Sequence, residues 1–262
     1  MEKKKVSAKV ISRREIASEI YDMWIETDLV MAAKAGQFIS VYPHDKSALL
    51  PRPISICETD RENGRIRIVF RVAGKGTEEF SRYRIGDRIH ILGNLGNGFP
   101  LEAAEGKRVL LMGGGIGIPP MLQLAKDLKT EGKAVETTVI TGYRNGELFL
   151  KEDLEKYAPV YLATEDGSAG VKGNVMDAVG AYSLQGDVIM ACGPVPMLRA
   201  IKRFAKENRI EAYISLEERM ACGVGACLGC VCKTKEKDPH SHVKNARVCT
   251  EGPVFLAEDV DI

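Results

Sequence analysis

The chain has almost no surplus of charge. Its 262 residues carry 37 Lys and Arg against 36 Asp and Glu, a formal net charge of +1. Nucleic-acid and anionic-membrane binders need a basic excess, so this balance offers no electrostatic case for either. Long apolar runs are also missing. The longest uncharged run, residues 109–125, is broken by Gly and Pro. It is shorter than the roughly 20 apolar residues a bilayer-spanning helix requires. The opening MEKKK has no apolar stretch behind it, so no signal peptide is expected and the protein is expected to be cytoplasmic. Histidine is scarce. His44, His90, His240 and His242 show no metal-ligand spacing, and the last two fall in a polar stretch that reads as solvated. Internal repeats and low-complexity linkers are absent. Apolar residues are not scarce: at 45% hydrophobic and 28% charged, the chain can bury a core without disulfide staples.

Two patterns divide what is present. Up to about residue 101 there are short alternating segments: Lys9–Ile16, Tyr21–Thr27, Gln37–Tyr42, Ile54–Cys57, Arg65–Val72 and Arg88–Leu92. Asn63-Gly64 between two of them reads as a hairpin turn. Many short strands at close spacing predict a small antiparallel barrel. From about residue 102, apolar runs at Arg108–Met112, Glu136–Thr141, Val160–Thr164, Asp187–Ala191 and Glu211–Ser215 alternate with candidate helices. Those helices are Pro120–Thr130, Leu148–Tyr157, Gly173–Tyr182 and Val195–Asn208. Strand–helix alternation predicts a parallel α/β sheet. From 216 the chain turns Cys- and Gly-rich, and residues 233–247 have the composition of a solvated loop. Such a tail is too small to form a core alone, and a metal centre would supply the missing stabilisation. The expected fold is α+β multidomain: a barrel over 1–101, an α/β domain over 102–215 and a small module over 216–262.

The seven cysteines are unevenly placed. Cys57 reads as core, and Cys192 stands alone. Cys222, Cys227, Cys230, Cys232 and Cys249 crowd the C-terminal end, a clustering that favours metal over disulfides. Cys222-x4-Cys227-x2-Cys230 has the plant-type [2Fe-2S] ligand spacing, which needs a fourth cysteine further on. Cys232 would crowd one side of the cluster, whereas Cys249 comes from a separate segment and can close the cage. The expected ligands are therefore Cys222, Cys227, Cys230 and Cys249, with Cys232 spare. A structural zinc site is the competing account, although zinc more often takes paired C-x2-C knuckles and only one is present.

Arg52-Pro53-Ile54-Ser55 precedes Val69-Phe70-Arg71 and then Gly74-Lys75-Gly76-Thr77. Arginine can grip a pyrophosphate in bidentate fashion. A serine hydroxyl can hydrogen-bond a flavin ring nitrogen and tune its electronics. Gly76-Thr77 opens a predicted helix, Thr77–Tyr83, whose free N–H groups suit a phosphate. Each motif also has a plain structural account, an edge-strand entry for Arg52-Pro53 and a helix cap for Gly76-Thr77. Order and spacing together carry the flavin reading.

Gly113, Gly114, Gly115 and Gly117 follow a predicted strand and open a helix, the context of a phosphate-binding turn. Ile118 holds the third glycine position, so the motif is not a strict dinucleotide fingerprint. Cys192-Gly193-Pro194 ends another strand, and ligands of open α/β sheets bind at the carboxyl ends of strands. Tight strand-to-helix turns are the competing account of these glycines.

In this order the motifs resemble the ferredoxin–NADP reductase superfamily, over roughly residues 5–215. That family pairs a flavin barrel bearing Arg-x-x-Ser with a nicotinamide domain bearing Gly-Gly-Gly-x-Gly and Cys-Gly-Pro. The segments from Ser215 to Gly223 and from Val248 to Phe255 narrow the likeness to the electron-transfer subunits of dihydroorotate dehydrogenase B. The resemblance implies that FAD is held by Arg52, Pro53, Ile54 and Ser55, by Val69, Phe70 and Arg71, and by Gly76 and Thr77. It implies a cluster on Cys222, Cys227, Cys230 and Cys249, and NAD at Gly113, Gly114, Gly115, Gly117, Cys192, Gly193 and Pro194. Arg144, after the second α/β strand, is too isolated to argue for a 2′-phosphate. Glu217 is expected near the flavin ring, where simpler reductases place a terminal aromatic; a surface salt bridge is its plain alternative. The loop between Cys230 and Cys249 is longer than the family's usual one.

A nicotinamide exchanges a hydride, an iron–sulfur cluster passes single electrons, and a flavin does both. The expected relay runs from a partner's FMN to [2Fe-2S], then FAD, then NAD+, in pyrimidine biosynthesis. The implied partner is an FMN-containing catalytic subunit, in a heterotetramer. Two rivals remain. One is a reductase subunit of another NAD(P)H-linked complex of sulfur-reducing or hydrogenase type; the other is a redox sensor or scaffold without turnover.

Overall fold

In the computed structural model, residues 4–238 and 242–262 are described, so His240 lies outside them. The first six strands are β1 (Lys4–Ala17), β2 (Ile20–Glu26), β3 (Phe38–Tyr42), β4 (Arg52–Asp60), β5 (Arg65–Arg71) and β6 (Arg88–Leu95). They close a barrel in the order β1-β2-β5-β4-β3-β6. Period-two alternation fills it: Ile39 and Val41 of β3 meet Ile54 and Ile56 of β4 and Ile66 and Ile68 of β5 inside. Asn63-Gly64 does turn the β4–β5 hairpin, through a connection of residues 61–64 rather than a two-residue loop. Asp60 draws it out by accepting from the Asn63 backbone N–H at 3.1 Å and side-chain amide at 2.7 Å. Helix α1 (Lys75–Phe80) begins two residues before its expected start.

A seven-stranded sheet follows, in the order β10-β9-β8-β7-β11-β12-β15, its last strand being Val254–Leu256. Its parallel strands are β7 (Arg108–Gly114), β8 (Glu136–Tyr143), β9 (Val160–Thr164), β10 (Val171–Lys172), β11 (Val188–Cys192) and β12 (Glu211–Ser215). Helices α2 (Pro119–Glu131), α3 (Lys151–Glu155), α4 (Val175–Ala181) and α5 (Val195–Asn208) cover it. Proline at the first positions suits α2, whose fixed φ and missing N–H cost nothing there. Met121, Leu124, Ala125 and Leu128 bury one stripe of α2, and Gly132 ends it at φ 61°. Helix α3 is shorter than the expected Leu148–Tyr157. The Tyr143 hydroxyl donates to the Phe149 carbonyl at 3.0 Å and Leu150 adopts φ 63°, so Leu148–Leu150 forms a buried turn instead.

The tail departs furthest from expectation. Residues 233–247 are not simply a loop. Strands β13 (Val231–Thr234) and β14 (Asn245–Arg247) pair there, joined by β16 (Val260–Asp261) in a three-stranded sheet. Strand β15 (Val254–Leu256) returns to the large sheet and pairs antiparallel with β12. Cys230, Cys232, Val248 and Cys249 share one core with Ile214 of the sheet and Phe38, Leu92 and Leu95 of the barrel. The tail thus borrows its core from its neighbours. Among the described residues no helix is long and apolar enough to cross a membrane.

Candidate functional site

Strands β4 and β5 and the start of α1 form one wall of a cavity of about 880 Å³. Arg52, Pro53, Ile54 and Ser55 line it from β4, Val69, Phe70 and Arg71 from β5, and Thr77 from α1. Gly76 stands behind Arg52: a Cβ there would lie 2.8 Å from the guanidinium Nε. The Thr77 hydroxyl is engaged locally, accepting from Ala73 N–H at 2.9 Å and donating to the Gly74 carbonyl at 3.0 Å. Its backbone, at the first turn of α1, is what remains to face an anion. The volume suits a large organic cofactor, and Arg52, Arg71 and Arg219 among apolar side chains suit an amphipathic, anionic one.

The sheet gives the opposite wall Ile116 and Ser215, whereas Gly113, Gly114, Gly115, Gly117, Cys192, Gly193 and Pro194 lie behind them and do not line this cavity. Strands β7 and β11 are neighbours with Gly113 opposite Cys192, so the glycine turn and Cys192-Gly193-Pro194 meet at the strands' carboxyl ends. Gly117 shows why glycine is needed. A Cβ would lie 2.3 Å from the Cys192 carbonyl oxygen, a separation no real side chain tolerates. Ile116, between these glycines, reaches the cavity. Ile118, in the third glycine position, is fully buried instead and packs beside Gly113.

Ser215 ends β12 opposite Cys192, and Leu216, Glu217 and Met220 continue along the cavity wall. Burial pushes the Cys192 thiol well up, and the Glu217 carboxylate adds to it, so Cys192 stays a neutral thiol. Glu217 lines the cavity while staying open to solvent, and the enclosing walls push its carboxyl up, with the Arg71 guanidinium opposing them.

Immediately beyond lie the cysteines. The Cys222 sulfur accepts from the backbone N–H groups of Val224 and Cys227, each at 3.4 Å, and the Cys227 sulfur accepts from Gly229 N–H at 3.4 Å. Burial pushes the Cys222 thiol up, but these donors together with the neighbouring Cys227 thiol bring it down to about 6. A loop that aims N–H groups at sulfur is built for thiolates. The thiols associate in pairs, Cys222 with Cys227 and Cys230 with Cys249. Among the described residues no three His, Cys, Asp or Glu side chains converge on one ion. A lone zinc wants all its ligands around one point. A two-iron cluster takes two thiolates at each iron, and neighbouring thiols on separate segments suit it. Cys232 points into the core from β13, its thiol pushed up by burial to about 11.

Sequence reasoning missed what fixes Cys249. Arg247 and Glu251 form an ion pair across the turn, with Arg247 Nε 3.0 Å from the carboxylate, and Arg247 Nη1 donates to the Gly225 carbonyl at 3.4 Å. Val248 N–H donates to the Cys230 carbonyl at 2.9 Å. Residues 245–251 are thereby tied to the cysteine loop. Arg and Glu four apart beside a cysteine was the one available signal, and it is common on any surface.

Known proteins match this layout. Residues 217–261 fit the family model "iron-sulfur cluster binding domain of dihydroorotate dehydrogenase B", and residues 111–203 fit "oxidoreductase NAD-binding domain". The dihydroorotate dehydrogenase B (NAD(+)) electron transfer subunit of Listeria welshimeri is 42% identical over 256 residues, spanning 97% of this chain and 98% of its own. The chain belongs to the dihydroorotate dehydrogenase B electron transfer subunit family. The member from Bacillus caldolyticus is 44% identical, with 96% of each chain covered. Among solved structures, a NADH-dependent reduced ferredoxin–NADP oxidoreductase superposes with a TM-score of 0.86 at 30% identity, covering 97% of this chain and 89% of that one. A ferredoxin NADP+ reductase from Neisseria gonorrhoeae, with bound FAD and NADP, superposes at TM-score 0.67 and 17% identity. It covers 79% of this chain and 92% of its own, and shares the fold alone. In the electron transfer subunit family fold, the barrel, the sheet and the cysteine module thus occupy the order the motifs implied.

Proposed function

We propose that this chain is the electron-transfer subunit of an NAD-dependent dihydroorotate dehydrogenase. It carries FAD, [2Fe-2S] and a nicotinamide site, and serves an FMN-containing catalytic subunit in a heterotetramer. One observation supports this most strongly. A single short stretch runs from Ser215 beside Cys192, through Glu217 on the cavity wall, to Cys222 of the cysteine loop. Three cofactor sites that share one continuous stretch support a relay between them.

The flavin, when bound, supplies the exchange between hydride and single electrons. The chain's own residues do the rest. Arg52 grips the pyrophosphate, while Pro53, Ile54, Ser55, Val69, Phe70 and Arg71 shape the ring's bed. Gly76 lets Arg52 lie close, and Thr77 offers its backbone N–H. Gly113, Gly114, Gly115 and Gly117 bring backbone up to the dinucleotide phosphates, and Cys192, Gly193 and Pro194 bound the nicotinamide end. Cys222, Cys227, Cys230 and Cys249 hold the cluster, and the low-lying Cys222 thiol is ready as a ligand at neutral pH. Residues 1–101, 102–215 and 216–262 form the flavin, nicotinamide and cluster domains.

The test is reconstitution. The chain alone should oxidise NADH with an artificial acceptor but leave dihydroorotate untouched. Together with the FMN subunit it should reduce NAD+ at the expense of dihydroorotate under anaerobic conditions. Failure to form that complex, with NADH oxidation intact, would instead favour a reductase subunit of another NAD(P)H-linked complex. The match to the NADH-dependent ferredoxin–NADP oxidoreductase motivates that second reading.

A further inference from the structure

Among the described residues, four buried side-chain polar atoms have no hydrogen-bond partner: Ser40 Oγ, Thr59 Oγ1, Arg65 Nε and Asn94 Oδ1. Ser40 is the one packed against the cysteine loop. It sits on β3, where alternation sends Ile39 and Val41 into the barrel and Phe38, Ser40 and Tyr42 outward. The outward side is not solvent. Phe38, with Leu92 and Leu95 from the neighbouring β6, shares a core with Cys230 and Cys249, and Ser40 itself is 0% exposed. The chain rarely leaves a hydroxyl in such surroundings without a partner.

What faces that hydroxyl is Gly223. A Cβ there would lie 3.1 Å from Ser40 Oγ and 3.1 Å from Leu95 Cδ1, and the residue's φ of 68° favours glycine. Cys222 precedes it. The loop is therefore pressed onto β3 at Ser40, next to the first thiolate of the set. A barrel residue with a spare proton donor, buried in an apolar seam, abuts the ligand shell of an anionic centre.

We propose that the Ser40 hydroxyl, which does not reach the Cys222 sulfur itself, donates a hydrogen bond to a sulfide of the cluster held beside Gly223, and raises the cluster's reduction potential. This rests on the reading of residues 222–249 as the [2Fe-2S] site. A donor to sulfur favours the more negative, reduced state. It also makes the flavin barrel, not the cysteine module alone, a determinant of how readily the cluster accepts an electron.

The experiment is an EPR-monitored redox titration of the anaerobically purified full chain and of Ser40→Ala and Ser40→Thr, after iron and sulfide have been counted. Ser40→Ala should keep full cluster content and FAD and lower the midpoint. The reduced-to-oxidised ratio at fixed potential should fall on the order of tenfold, about 59 mV for a one-electron couple. Ser40→Thr, which keeps the hydroxyl on a residue suited to a strand, should restore it. With the cluster removed, Ser40→Ala should melt no lower than the parent, because the hydroxyl has no partner in the protein to lose. An unchanged midpoint and EPR signal in Ser40→Ala, with iron and sulfide intact, would overturn the inference while leaving the cluster site standing. No iron or sulfide in the parent chain would overturn both.

Discussion

Arg67 of β5 and Asp153 of α3 meet at 2.9 Å across the seam between barrel and sheet. Arg67 also grips Asp22 of β2 through Nε at 2.8 Å and Nη2 at 3.0 Å, and reaches Glu58 of β4 at 3.1 Å. From the sheet side, Lys126 of α2 returns to Glu58 at 3.1 Å and to the Thr59 carbonyl at 2.9 Å. Barrel and sheet are therefore pinned by a network centred on one buried guanidinium and completed by Lys126.

Removing that guanidinium should be severe. Arg67→Ala leaves the buried Asp22 carboxylate with only the exposed Arg14 guanidinium at 3.0 Å, at a cost of about 3 kcal/mol. Asp153→Asn only weakens the seam, by about 1 kcal/mol. Urea unfolding followed by far-UV circular dichroism checks both. Equal effects would mean that Arg67 matters for the seam alone and not for the barrel.

The same pair sets an acid limit. Burial pushes the Asp153 carboxyl up, but the Lys156 hydrogen bond and the Arg67 guanidinium override it and hold it below its ordinary value. A depressed carboxylate contributes stability that is complete above its unfolded value of about 3.9 and is lost as pH falls through the folded value. Stability should therefore decline below about pH 4, and Asp153→Asn should flatten that decline. Melting temperature against pH for the two proteins measures it.

Gly117→Ala should separate the glycine turn from Cys192, because its Cβ cannot coexist with the Cys192 carbonyl. The expected effect is a rise in KM for NADH of roughly tenfold or more, with flavin content unchanged. Gly180→Ala, where a Cβ meets nothing within 4 Å, should be silent. Steady-state kinetics with an artificial acceptor decides between them.

Arg52→Ala should weaken FAD binding by about 2 kcal/mol, roughly thirtyfold in Kd, through loss of a charge-assisted contact. Flavin fluorescence titration of the apoprotein gives the number. An unchanged Kd would remove Arg52 from the flavin site.

Much of this was legible in the residues. The alternation around Ile39 and Val41, the Pro119-Pro120 entry of α2 and the strand at Val160–Thr164 are local signals, and the chain obeys them. So is the cysteine spacing, because ligand geometry constrains neighbours in sequence. What escaped depends on distant partners. Arg67 is one charge in an alternating strand until Asp22, Glu58 and Asp153 arrive from three other elements. Arg247, which ties the Cys249 turn to Gly225, reads as an ordinary surface cation. Leu148 and Leu150 fit a helical pattern, and only the Tyr143 hydroxyl explains why the helix begins later.

Cys222, Cys227, Cys230 and Cys249 are the proposed ligands of two irons beside the flavin cavity. The direct measurement is iron and acid-labile sulfide per chain in anaerobically purified protein, for the parent and for Cys249→Ser and Cys232→Ser. Two irons and two sulfides are expected in the parent and in Cys232→Ser, with loss in Cys249→Ser. Zinc without sulfide in the parent, or iron lost from Cys232→Ser alone, would contradict that ligand set.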